Sequence, residues 1–114
     1  MINDPILLAS DTVLLGPVIA ELVADKLQKG CVLGYRHRDF CGMAMKMDEK
    51  NQFLYGELYD GIDFSVPMVF KNRELFVTWL SEQSTASLAR LDAADFYRAN
   101  QVITRQRLLE FIKD

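Results

Sequence analysis

Residues 40–70, FCGMAMKMDEKNQFLYGELYDGIDFSVPMVF, carry three runs of strand-forming residues separated by two turn signals. The polar residues 48–51 separate the first run from the second, and Asp60-Gly61 separates the second from the third. Apolar and aromatic runs bounded by such polar clusters are typical of strands joined by short turns. The stretch therefore predicts an antiparallel meander with strands at 40–47, 52–59 and about 64–70.

One more strand is predicted before this stretch, at residues 31–36, where an apolar segment follows Gly30. The last strand contains Pro67, which has no N–H group to donate to a neighbouring strand. We therefore expect that strand to lie at an edge of the sheet or to be bulged at the proline.

A helix is predicted ahead of the sheet. Pro17 suits the first turn of a helix, and Gly30 supplies the left-handed residue that commonly follows a helix C-terminus. The segment between them has apolar residues at i, i+3 and i+4 spacing, which predicts a buried stripe. Its members are Leu15, Val18, Ile19, Leu22, Val23 and Leu27.

Two helices are predicted after the sheet, at about 73–83 and 105–113, capped by Asn72 and Thr104, with a short helix or turns between them. The buried stripe of the first is expected to consist of Leu75, Phe76, Trp79 and Leu80. A helix, then strands, then helices is a segregated order, which predicts an α+β fold. We expect a four-stranded antiparallel meander, about 31–70, with the N-terminal helix and the C-terminal helices packed mainly on one face.

The chain has 114 residues, which is the size of one domain spanning residues 1–114. Its formal net charge is -3 and its pI about 5.1, whereas proteins that bind nucleic acid normally carry a basic surface. Its apolar runs fall short of the roughly 20 residues that a membrane-spanning helix needs, and Asp4 and Asp11 interrupt any signal-peptide pattern. We therefore expect a cytoplasmic protein that binds neither nucleic acid nor membrane.

His37, Asp39 and Cys41 are the candidates for a catalytic group. An imidazole base, a carboxylate and a thiol are the components of a Cys-His-Asp device. In an extended segment the three side chains share one face, but neighbours at i, i+2 are about 7 Å apart, which is too far for a thiol–imidazole hydrogen bond. A half-buried cysteine beside a polar turn is the simpler interpretation, and we expect no catalytic residues.

No metal or cofactor site is predicted. Zinc binding would require Cys31, His37 and Cys41 to converge with Asp39, and their spacing matches no established zinc motif. The segment Asp60-Gly61-Ile62-Asp63 lacks the alternating carboxylates of a calcium loop and predicts a tight turn instead. The glycines are scattered and do not introduce a helix as a phosphate-binding loop must.

Two groups of charged residues are candidates for binding a protein partner. The acidic group is divided between the two turns of the meander and their flanks: Asp48, Glu49, Glu57, Asp60 and Asp63. Because adjacent turns of a meander lie at opposite ends of the sheet, we expect two acidic sites and not one patch. The other group is cationic and aromatic, Tyr35, Arg36 and Arg38 around His37, and suits an anionic group on a partner. The alternative for each group is an ordinary solvated face.

Two segments resemble parts of small bacterial proteins from polymorphic toxin neighbourhoods. They are Phe76-Val77-Thr78-Trp79-Leu80, continuing into Glu82-Gln83-Ser84, and Asn100-Gln101-Val102-Ile103-Thr104-Arg105, continuing into Arg107-Leu108. With Gly34-Tyr35 and Asp39-Phe40-Cys41-Gly42, they are similar to immunity proteins of contact-dependent growth inhibition systems. The resemblance implies a protein that binds a cognate toxin domain and blocks its active site or the access of its substrate. Such toxins are frequently basic nucleases, which would fit a mildly acidic inhibitor.

Two other functions are open. A small enzyme would use Cys41 with His37, and its thiol would alkylate quickly near neutral pH because the cysteine pKa would be lowered. An oligomerising structural domain would pair the strand at about 64–70 with a second copy, although Pro67 opposes such pairing. The sequence favours a binding protein, since it presents no assembled reactive cluster.

Overall fold

A computed structural model of the chain describes residues 12–33, 42–59, 63–91 and 103–113. These ranges contain four helices, α1 (Gly16–Gln28), α2 (Arg73–Ser81), α3 (Thr85–Leu91) and α4 (Arg105–Lys113). They also contain three strands, β1 (Gly42–Met47), β2 (Phe53–Tyr59) and β3 (Asp63–Phe70). The strands form one antiparallel sheet in the order β1-β2-β3. The architecture is α+β, as the segregated order of elements predicts.

The predicted number of four strands is wrong, because the sheet has three strands in the part of the chain that is described. Among the described residues 31–33 of the predicted strand, Leu33 alone pairs, in an isolated antiparallel bridge with Met45. Both hydrogen bonds of the bridge are formed, with N···O distances of 3.0 and 3.2 Å. Residues 34–36 lie outside the described residues.

The end of α1 explains why no strand begins at Cys31. Gly30 has a φ of +96°, the left-handed conformation expected of it. Its N–H donates to the carbonyl oxygen of Leu27 at 3.0 Å, and the N–H of Cys31 donates to that of Lys26 at 3.1 Å. These two bonds close the helix C-terminus. An N–H group that is held by the helix cannot donate to a strand, so pairing is delayed until Leu33.

β3 is an edge strand of the described sheet and is bulged, as expected for a strand that contains Pro67. The register shifts between Tyr55 and Glu57, whose partners on β3 are Met68 and Ser65. β3 therefore has one more residue than β2 at this point, and Pro67 lies in that longer segment. At a bulge the extra residue is not paired with the neighbouring strand, so the missing N–H of Pro67 costs no hydrogen bond between strands.

Aromatic rings hold α2 on one face of the sheet. Phe76 stacks on Phe53 with ring centroids 4.7 Å apart and an interplanar angle of 10°, and it meets Phe70 edge-on at 5.6 Å. Trp79 lies 4.9 Å from Phe70 and 5.1 Å from Tyr55, measured between ring centroids. Pairing across the strands puts the three sheet aromatics on the same face. Phe53, Tyr55 and Phe76 belong to the hydrophobic core, and the partly buried Phe70 and Trp79 pack against it.

The buried face of α1 is displaced from the predicted one. Buried positions are Leu15, Ile19, Ala20, Val23, Ala24 and Leu27. Val18 and Leu22, which were expected in the core, are exposed, and on α2 Leu75 is exposed while Val77 is buried in its place. Alanine is only weakly apolar, so the pattern rule gives it little weight, but its short side chain suits a closely packed helix face.

α1 and α2 run antiparallel, and Arg73 joins them at one end. Its Nη2 is 2.6 Å from Glu21 Oε1 and 2.8 Å from Asp25 Oδ1, and its Nη1 donates to Gln28 Oε1 at 2.6 Å. At the other end the N–H of Leu15 donates to the carbonyl oxygen of residue 83 at 2.8 Å. The hydrogen bond to Glu21 raises the pKa of Arg73 above its ordinary value. Since a guanidinium is already protonated throughout the working pH range, this shift adds no pH dependence to stability.

The predicted caps of α2 and α4 are confirmed. The Oδ1 atom of Asn72 accepts the N–H of Leu75 at 2.9 Å. The hydroxyl oxygen of Thr104 accepts the N–H of Arg107 at 3.1 Å. Each bond satisfies one of the N–H groups that have no partner inside the first turn of a helix.

We expect the substitution Asn72→Ala to lower the free energy of unfolding by about 1 kcal/mol, because the N–H of Leu75 loses its acceptor. Urea denaturation followed by circular dichroism measures the change. The control is Asn72→Asp, which keeps an acceptor oxygen at the same position. Equal losses in the two variants would show that the cap does not contribute.

Candidate functional site

A concavity of about 480 Å³ lies between the C-terminal end of α1 and the turn that joins β1 to β2. The helix gives Leu27 and Gln28 to its lining, and Gly30 follows them. The turn and the end of β1 give Met47, Asp48, Glu49 and Asn51. Two of the predicted partner-binding residues, Asp48 and Glu49, therefore line the same concavity.

The turn itself is built by Asp48. Its Oδ1 atom accepts the N–H groups of Lys50 and Gln52 at 2.9 and 2.8 Å, and its own N–H donates to the carbonyl oxygen of Gln52 at 3.0 Å. Asn51 has a φ of +64°, a left-handed conformation that asparagine tolerates better than most residues. Asp48 therefore has a structural role that the charge pattern alone did not reveal.

The two charged residues that line the concavity, Asp48 and Glu49, are both acidic, and Lys50 follows them in the turn. Glu49 is exposed and Asp48 is half-buried, and the C-terminal end of a helix adds a partial negative charge. Lys26 and Lys29 lie on the last turn of α1 but do not line the concavity. This arrangement suits the cationic side chain of a partner, which could approach Glu49 without disturbing the hydrogen bonds of the turn.

Two of the other predicted partner-binding residues, Glu57 and Asp63, lie in described strands. Glu57 lies on β2 opposite Met43, and Asp63 begins β3, at the end of the sheet away from Asp48. These positions are thus divided between the two ends of the sheet, which is the arrangement expected of a meander. The remaining members, Tyr35, Arg36, Arg38 and Asp60, lie outside the described residues.

The components of the alternative enzyme site, His37 and Cys41, also lie outside the described residues, so that alternative stays a prediction. Cys31 is half-buried, carries a free thiol and packs against the core. No group of three or more His, Cys, Asp and Glu residues that could hold a metal ion is found in the ranges that the structure describes.

α1 carries an exposed apolar surface that the sequence pattern did not predict. Val18 is 71% exposed and Leu22 is 43% exposed, one turn apart on the outer face of the helix. Leu14 and Val13, just before the helix, are 57% and 52% exposed. We call these four residues the α1 ridge. The sequence did contain a sign of this surface. When its two alanines are counted, α1 has more apolar positions than one buried helix face can hold, so some of them must be exposed.

Comparison of the chain with protein-family models, with curated proteins and with solved structures finds no match. Over the described residues, none of the helices has the length and apolar character that a membrane crossing requires. The functional assignment therefore depends on the residues and on the geometry of the surface.

Proposed function

We propose that this chain is a protein-binding module of the bacterial cytoplasm, and that it acts as an immunity protein of a contact-dependent growth inhibition system. In this role it binds a cognate toxin domain and blocks the toxin active site or the access of its substrate. The supporting observation is the acidic concavity, in which Asp48 and Glu49 lie beside the C-terminal end of α1.

Charge complementarity connects this concavity to a basic partner. A nuclease toxin binds nucleic acid through lysine and arginine side chains. An inhibitor that offers carboxylates to the same side chains competes with the phosphates of the substrate, and opposite charges also accelerate association. The formal net charge of -3 acts in the same direction.

The test is co-expression with the toxin domain encoded beside this chain. We expect cells to survive when both are produced, and the purified proteins to form a complex. Killing that proceeds at the same rate with and without this chain would refute the proposal.

Within the complex, we expect Glu49→Lys to weaken binding about tenfold or more, which corresponds to about 1.4 kcal/mol. The substitution should leave the turn intact, because Glu49 is exposed and takes no part in the hydrogen bonds that Asp48 makes. The control is Glu82→Lys, which makes the same change of charge at the C-cap of α2. Isothermal titration calorimetry measures both variants, and equal weakening would mean that only net charge matters.

A further inference from the structure

We draw no further inference here: the strongest candidate, the α1 ridge on the outer face of the first helix, is an exposed apolar surface bordered by charges of both signs, and nothing in the structure shows what covers it.

Discussion

Replacement of Phe76 by alanine is expected to lower the free energy of unfolding by about 3–5 kcal/mol. Phe76 is fully buried, stacks on Phe53 at 4.7 Å and meets Phe70 edge-on. Removing its ring leaves a cavity between α2 and the sheet, and the surrounding side chains can fill it only in part. A small domain has about 5–15 kcal/mol of stability in total, so this single change removes a large fraction of it.

Leu75→Ala is the matched control for Phe76→Ala, because Leu75 precedes Phe76 on the same helix and is exposed. We expect that change to stay within about 0.5 kcal/mol. Urea unfolding can be followed by circular dichroism and by the fluorescence of Trp79, the single tryptophan of the chain, whose ring is 6.2 Å from that of Phe76. If the two variants lose similar stability, the packing of Phe76 against the sheet does not stabilise the fold.

These two neighbours also show what sequence patterns can and cannot determine. A periodic pattern predicts that a helix exists, and both residues fit the predicted stripe of α2. Which of them is buried depends on the rotation of the helix about its axis, and that rotation is fixed by partners distant in sequence. Here the partners are Phe53 and Phe70. The same reason explains why Val18 on α1 was assigned to the wrong face.

Local signals were more reliable, since their physical cause lies within a few residues. Gly30 adopts the left-handed conformation at the end of α1, Asn72 caps α2, and Pro67 lies in a bulge of an edge strand. The prediction of a fourth strand was wrong because two local signals compete. Strand-forming residues begin at Cys31, but the N–H of Cys31 is hydrogen-bonded to the end of α1. A propensity scale rates each residue by its type and does not record which N–H groups a neighbouring helix already uses.

The candidate site was predicted in part. The acidic turn was recognised from composition, and Asp48 and Glu49 do line a concavity. The structural role of Asp48 required knowledge of which N–H groups its carboxylate accepts. The contribution of α1 to the concavity required tertiary structure, because Leu27 and Met47 are twenty positions apart in the chain.

The face of the sheet opposite α2 is also buried over part of its area. Ala44, Gly56 and Leu54 share the face opposite to α2, because their cross-strand partners alternate with those of the aromatic cluster. Ala44 is fully buried and Leu54 is buried as well. On the same face, Val69 is half exposed although it pairs directly with Leu54. The β1–β2 part of this face is therefore covered, whereas the face is open at Val69 on β3.

We expect Ala44→Glu to cost about 3–5 kcal/mol at neutral pH, because it forces a charged carboxylate on a longer side chain into a fully buried position. The matched substitution on the same face, Val69→Glu, places its carboxylate in water and should change stability by about 0.5 kcal/mol or less. Chemical denaturation of both variants measures the difference. Equal effects would mean that the face at Ala44 is open to solvent in solution.

The pH dependence of the Ala44→Glu variant gives a second test of the same burial. Burial favours the neutral form of the introduced carboxyl and raises its pKa in the folded state above the unfolded value of about 4.3. The folded state then binds the proton more tightly than the unfolded state. The loss of stability should therefore be smallest below the unfolded pKa, where only the larger neutral side chain has to be accommodated. It should grow as the pH rises from the unfolded pKa through the folded pKa, and then level off. At Val69 the same carboxyl is solvated in both states, so the difference in stability between Val69→Glu and the wild type should be nearly independent of pH.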